Sequence, residues 1–205
     1  RASSPPKSQE AAYLAGLAAV RLGRAQDALG HLTHATTSRE ADLAARARAE
    51  VGLLHLERRR FHLAEQYLLD AAPGLGGNDR ARAYLHAAAA QQHLGRWARA
   101  DRTLEQAEAA AESSSLRRQI LQRKRYRAFT LQLGAFSKRS NADELARKVA
   151  AQAGAIGAGS ASVVASTSDQ GRLYLVHLGR FGSFAQATRA RQRLQQWHSF
   201  VRPVR

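Results

Sequence analysis

Eight histidines, sixteen acidic residues and no cysteine define the chemistry open to this chain of 205 residues. Without a thiol, disulfides, thiolate metal sites and thiol catalysis are excluded. His31 and His34 lie three apart on a predicted helix, and His55 and His62 lie seven apart, spacings that invite a metal reading. No acidic residue completes a ligand set with either pair, so no metal and no cofactor is expected. Catalysis would need a nucleophile beside a base, or paired carboxylates. From residue 128 onward there are three acids. Asp143 and Glu144 are expected to open a helix and favour its dipole, and Asp169 is expected in a turn. No glycine-rich phosphate loop and no nucleophile elbow occurs. The chain therefore reads as a binding protein with no catalytic residues, not an enzyme.

The remaining polar chemistry is recognition, and two positions stand out. Gln132 and His177 each sit within a short segment of strict apolar/polar alternation, Phe129-Thr130-Leu131-Gln132-Leu133 and Tyr174-Leu175-Val176-His177-Leu178. These segments belong to an internal repeat of 45 residues. Leu131, Leu133, Gly134 and Phe136 map onto Val176, Leu178, Gly179 and Phe181, and Ala142, Leu145 and Val149 map onto Ala187, Ala190 and Leu194. Each copy alternates, breaks at glycine and becomes helical, so each is a half-buried strand followed by an amphipathic helix. Short strands near Ser162–Ser166 and Ser199–Val204 complete two β-α-β halves. The expected fold is α+β, βαββαβ and ferredoxin-like, a four-stranded antiparallel sheet with both helices on one face.

The apolar set must face those helices. Phe129, Leu131 and Leu133, with Tyr174, Val176 and Leu178, are expected inward. Thr130, Gln132, Leu173, Leu175 and His177 then point outward, and the repeat places Gln132 near His177. An amide and an imidazole over an apolar floor suit a sugar chain.

Residues 128–205 resemble the SPOR (sporulation-related repeat) family in both strand motifs and both helices. FTLQLGAF answers the family's aromatic-x-Val-Gln-x-Gly-x-Phe strand, and YLVHLGRF its Tyr-x-Val-x-Val-Gly-Pro-Phe strand. The resemblance implies binding to peptidoglycan glycan strands that have lost their stem peptides, and so a place at bacterial division septa or in wall remodelling. It implies that Gln132 is the family's strand-one glutamine. Arg180 replaces the usual Pro, and Ala135 stands where some members have a Ser that contacts glycan. The glycan-binding set expected is Gln132, Thr130, Ala135, Leu175, His177, Arg180 and Arg202.

Charge fits that set. The chain carries a formal +16, and residues 128–205 hold 11 basic residues against three acidic ones. A denuded strand exposes a lactyl carboxylate on every muramic acid, and Arg180 and Arg202 are its expected partners. Basic charge on an open sheet also describes an RNA platform. That platform stacks bases on exposed aromatics of the central strands, whereas Phe129 and Tyr174 fall on the inward register here.

A second period, of 36 residues, organises the N-terminal part. Ala28, Ala64 and Ala100 align, as do Leu32, Leu68 and Leu104, then Ala35, Ala71 and Ala107, with Ala25, Phe61 and Trp97, and with Gly16, Gly52 and Ala88. Apolar steps of three and four mark helices. The segments LGRAQDALGHLTHA, ERRRFHLAEQYLLDA and LGRWARADRTLEQA resemble tetratricopeptide (TPR) repeats, about three units over residues 9–112. The second unit departs from the pattern, with Arg58-Arg59 where the turn's Leu-Gly is expected. The resemblance implies a protein or peptide partner, and a purely scaffolding role stays open.

Between the two repeats, Ser113 to Ser115 offer an N-cap for a basic helix over residues 113–127. Its Leu116, Ile120 and Leu121 are expected to cover the last repeat, and its six basic residues are expected to be solvated. Residues 1–8 read as linker. No apolar run is long enough to cross a membrane. A chain beginning Arg-Ala-Ser-Ser-Pro-Pro reads as a fragment whose signal or anchor segment is missing. The expected compartment is the bacterial periplasm or cell envelope.

Overall fold

A computed structural model describes residues 5–155, 157–168, 171–194 and 197–204. The chain divides into two compact units, Arg1–Lys124 and Arg125–Arg205.

The first unit is all-helical: α1 (Pro5–Arg21), α2 (Ala25–Ala35), α3 (Ala41–Glu57), α4 (Phe61–Ala71), α5 (Gly77–His93), α6 (Trp97–Ala110) and α7 (Ser114–Lys124). The 36-residue period is the helix-pair period. Ala28, Ala64 and Ala100, Leu32, Leu68 and Leu104, and Ala35, Ala71 and Ala107 are all fully buried. Gly16 and Gly52 let the paired helices close up, since a Cβ there would lie 2.5 Å and 2.6 Å from Leu32 and Leu68 Cγ. The turns repeat too. Gly23 and Gly95 adopt φ of +70° and +78°, and Arg59, at the equivalent position, adopts +58°. Arg59 therefore carries a left-handed conformation in which its Cβ crowds the following carbonyl, costing about 1 kcal/mol.

Three expectations are corrected in this unit. Residues 5–8 were expected as linker, yet α1 begins at Pro5, because proline's fixed φ suits a first helical turn. Leu116 and Ile120 of α7 are buried against α5 and α6, but Leu121 is 47% exposed. It lies one residue beyond Ile120, about 100° round the helix from the seam. The basic residues of α7 are also not simply solvated. Arg117 Nε donates to the Ala111 carbonyl at 3.0 Å, Arg123 Nη1 to Gln92 Oε1 at 3.3 Å, and Lys124 pairs with Glu108. Ser113 caps the helix, accepting from Leu116 N–H at 3.3 Å.

The second unit contains β1 (Ala128–Phe136), α8 (Arg139–Ala155), β2 (Ala161–Ser168), β3 (Gly171–Phe181), α9 (Phe184–Arg193) and β4 (Phe200–Val204). The strands form one antiparallel sheet in the order β2-β3-β1-β4. β1 and β3, the strands of the 45-residue repeat, are its two central strands. Phe129, Leu131, Val176 and Leu178 are buried with Ala142 and Val149 of α8 and Ala187 of α9, and the Phe129 and Phe184 rings meet edge-to-face at 5.9 Å.

Strict alternation in β1 fails at one expected residue. Gln132 pairs with His177 and Gly134 with Val176, so Leu133 is an extra residue in a β-bulge and Gly134 takes the inward register instead. Glycine is needed there: a Cβ would lie 2.7 Å from the Phe136 ring and 3.2 Å from Leu145. Asp143 and Glu144 are also reassigned. α8 begins four residues before Asp143, so the two acids pair along the helix with Arg139 at 3.6 Å and Lys148 at 2.6 Å. Asp169 lies outside the described residues.

Candidate glycan-binding face

Directly opposed residues of an antiparallel pair share a sheet face. Leu131, Val176 and Leu178 are fully buried on the helix side, which puts Gln132 and His177 on the other. The pairing extends across all four strands: Ser162 opposes His177, His177 opposes Gln132, and Gln132 opposes Phe200. A hydroxyl, an imidazole, an amide and a phenyl ring thus form one row across the open face. Phe200 is 66% exposed. A second row runs Val164, Leu175, Ala135, again by direct pairing, and supplies the apolar floor.

Arg202 opposes Thr130 on β4, which brings its charge to the same side as His177. Burial, and then the Arg202 guanidinium, hold the His177 imidazole below its ordinary pKa. The ring is therefore neutral near pH 7, with one nitrogen donating and one accepting, the pair of roles a sugar hydroxyl requires.

Thr130 keeps the open-face register that alternation expects, but it is not a free contact. It is 1% exposed, and its hydroxyl donates to the carbonyls of Gly179 at 2.9 Å and Leu178 at 3.1 Å. The cause is a second bulge. Phe129 pairs with Phe181 and Leu131 with Leu178, so Gly179 and Arg180 together face Thr130. Gly179 adopts φ +70°, and a Cβ on it would lie 2.2 Å from the Ala158 carbonyl oxygen. Thr130 is thus the floor of the site and ties the bulge down, rather than a free contact. The bulge turns Arg180 into an open groove of about 590 Å³, which Thr130, His177, Ser162, Val164 and Tyr126 also line.

The structure therefore gathers Thr130, His177 and Arg180 in the groove, with Gln132, Leu175, Ala135 and Arg202 beside them on the same face. Sequence reasoning missed Phe200, Tyr126 and Ser162. Phe200 could have been found only through the β1–β4 register, since its own strand is too short to show alternation.

The family model that matches the chain is the SPOR domain, over residues 126–203. The C-terminal unit is a SPOR domain. Its boundaries fall within two residues of those of the second compact unit, Arg125–Arg205. For the helical unit, two solved structures are similar. The TPR2B domain of yeast Sti1, in complex with pHsp70, is 23% identical with a TM-score of 0.51, covering 58% of this chain and 94% of that one. The TPR domain of Arabidopsis OM64 is 21% identical with a TM-score of 0.51, covering 60% and 98%. These likenesses show that the helical unit has the TPR fold. No curated protein matches the chain in sequence.

His55 and His62 each have other neighbours. His55 stacks on Tyr67 at 5.5 Å, and His62 Nδ1 lies 3.4 Å from Arg96 Nη2. No cluster of three His, Asp or Glu with metal-holding geometry occurs among the described residues. No described helix is long and apolar enough to cross a membrane.

Proposed function

We propose that this chain is a non-enzymatic recognition protein of the bacterial cell envelope. Its SPOR domain binds peptidoglycan glycan strands stripped of stem peptides, and its TPR-fold unit engages a protein partner, in septal division or wall remodelling. The observation that carries this reading is the Ser162–His177–Gln132–Phe200 row on the sheet face that α8 and α9 leave uncovered. Gln132 donates and accepts, neutral His177 does the same, and Phe200 offers a flat apolar surface for the C–H face of a pyranose ring. Arg180 and Arg202 supply positive charge for the lactyl carboxylates that a denuded strand repeats along its length.

The test is co-sedimentation with sacculi prepared with and without stem peptides. The parent chain should pellet preferentially with denuded sacculi, and Gln132→Ala and Arg180→Ala variants should pellet less. Equal pelleting of parent and variants would sink the assignment of this face.

One observation lends weight to a nucleic-acid reading. Phe200 is an exposed aromatic on an open, basic sheet. It sits on the edge strand, however, while the central strands present Gln132, Leu175 and His177, which offer no stacking platform. A salt-titrated RNA pull-down run beside the sacculus assay separates the two, since RNA capture that outlasts glycan capture at rising salt would favour nucleic acid. For the repeats, a photo-crosslinker at position 49, which lines a cavity between α1, α3 and α5, should trap a partner polypeptide in envelope extracts.

A further inference from the structure

The repeat unit contains a cavity. It measures about 200 Å³ and opens between α1, α3 and α5, with Tyr13, Glu50, Leu53, Leu75 and His86 in its walls. That is smaller than a pocket for a whole drug-sized ligand and suits a single side chain.

The 36-residue period shows how the cavity differs from its neighbours. Position 50 of α3 corresponds to position 14 of α1 and position 86 of α5, so one column of the repeat reads Leu14, Glu50, His86. The adjacent column reads Glu10, Arg46, Arg82. Both arginines are already committed to acids on their own helices: Arg46 Nε lies 2.9 Å from Asp42, and Arg82 Nη1 lies 2.7 Å from Asp79. Glu50 has no cation paired with it among the described residues. It is half-buried, and its surroundings, burial first and then the Glu57 carboxylate, hold its pKa above the ordinary value. The His86 imidazole is held below its ordinary pKa by burial, then by Arg123 and Arg82, so it offers no competing positive charge to Glu50 near pH 7. Arg46, Asp79 and Arg82 line the cavity as well, but each arginine has its own acid, which leaves Glu50, beside Leu53, Leu68 and Leu75, as the lining carboxylate with no paired cation among the described residues.

We propose that this cavity binds a cationic side chain, Arg or Lys, of the partner segment. The inference rests on reading the repeats as a partner surface and names the chemistry of one anchoring position on it. Leu53 and Leu75 pack the aliphatic stem, Glu50 pairs with the cationic head, and the Tyr13 ring adds a second electron-rich surface beside it. A carboxylate that is half-desolvated and unpaired is costly alone and gains from a cation that completes it.

The probes are three small amides added to the full chain and followed by two-dimensional NMR: N-acetyl-arginine amide, N-acetyl-leucine amide and N-acetyl-glutamate amide. The arginine amide should shift signals of Tyr13, Leu53 and His86, and Glu50→Gln, which keeps shape and removes charge, should weaken it roughly tenfold. His86→Lys places a cation inside the cavity and should block the same binding, giving a second variant if the first is unstable. Preference for the glutamate amide, equal response to the leucine amide, or no response to any amide would overturn the proposal. Crosslinking from position 49 that persists undiminished in Glu50→Gln would likewise overturn it while leaving the partner surface standing.

Discussion

Gln132 and His177 face each other directly across the central β1–β3 pair, on the side of the sheet away from α8 and α9. Each is the equivalent residue of the other in the 45-residue repeat, so the site straddles the fold's own pseudo-symmetry. Two neutral groups, each able to donate and accept, thus meet at the middle of the open face. Gln132→Ala removes one of them and should weaken binding to denuded glycan about three- to tenfold, the value of one or two exposed hydrogen bonds. His177→Ala should cost a similar amount, and the double variant less than the product of the two, since the pair acts on one sugar. Sacculus binding isotherms check all three.

The neutral state of His177 sets the pH dependence of that binding. Burial and Arg202 depress its pKa below the ordinary value of about 6.5. The imidazole is then predominantly neutral near pH 7, and glycan affinity should change little from there to pH 8. Arg202→Ala withdraws one depressing charge, so the pKa should rise and the plateau should begin at higher pH. Titration of the His177 ring signals by NMR in parent and variant measures both.

The arginines act differently, through charge at the edge of the groove. Arg180 and Arg202 are exposed, so each is worth about 0.5–1 kcal/mol towards an anionic strand at low salt. Arg180→Ala and Arg202→Ala should each lower affinity about two- to fivefold at low ionic strength, converging on the parent as salt rises. Gln132→Ala should keep its deficit at all salt concentrations. A Gln132 effect that vanished with salt would contradict its assigned role.

Much of this face was legible in the sequence, because alternation and the 45-residue period together fix which residues share a side. What escaped was local. The bulge at Leu133 inserts a residue in β1, after which parity no longer reports direction, while the bulge in β3 at Gly179 covers Thr130 without changing the face it is on. Thr130 reads as an outward contact by alternation and does face the open side, but it is buried there as a donor to Gly179 and Leu178. Leu133 reads as core but gives its place to Gly134. Phe200 was hidden for the opposite reason: its orientation is set by pairing with Gln132, and no pattern within five residues of β4 encodes that. In the repeat unit, the 36-residue period identified the buried columns but not which columns line the inner groove, which depends on how successive helix pairs rotate.

The bulge is itself testable. Gly179 combines φ +70° with a Cβ position 2.2 Å from the Ala158 oxygen, and its N–H donates to Ser160 at 3.0 Å. Gly179→Ala must distort the bulge or push away the Gly157–Gly159 loop, and should destabilise the SPOR domain by about 2–3 kcal/mol. Gly134→Ala, which meets side chains rather than backbone, should cost less. Chemical denaturation of the two variants ranks them.

Arg59 and His93 give the repeat unit two opposite levers. Arg59 occupies a left-handed position that Gly23 and Gly95 fill in the neighbouring repeats, so Arg59→Gly should stabilise by at most about 0.5 kcal/mol after glycine's larger unfolded-state entropy is subtracted. His93 stacks on Phe61 at 4.3 Å, and burial, then Arg123 and Arg59, push its pKa down to about 4. The sign follows from linkage. The unfolded chain binds a proton near pH 6.5 that the folded chain resists until about 4, so stability is complete above 6.5 and is lost as pH falls towards 4. The loss from this residue is on the order of 2–3 kcal/mol, and His55 and His86, also depressed by burial, add in the same direction. His93→Gln keeps a flat polar side chain against Phe61 without a titrating nitrogen, so it should flatten the acid limb of the melting-temperature profile. Arg59→Gly should flatten it slightly as well, because it withdraws one of the charges that keep His93 neutral. Thermal melts of the parent and both variants between pH 4 and 7 decide this: an acid limb as steep in His93→Gln as in the parent would place the titrating group elsewhere.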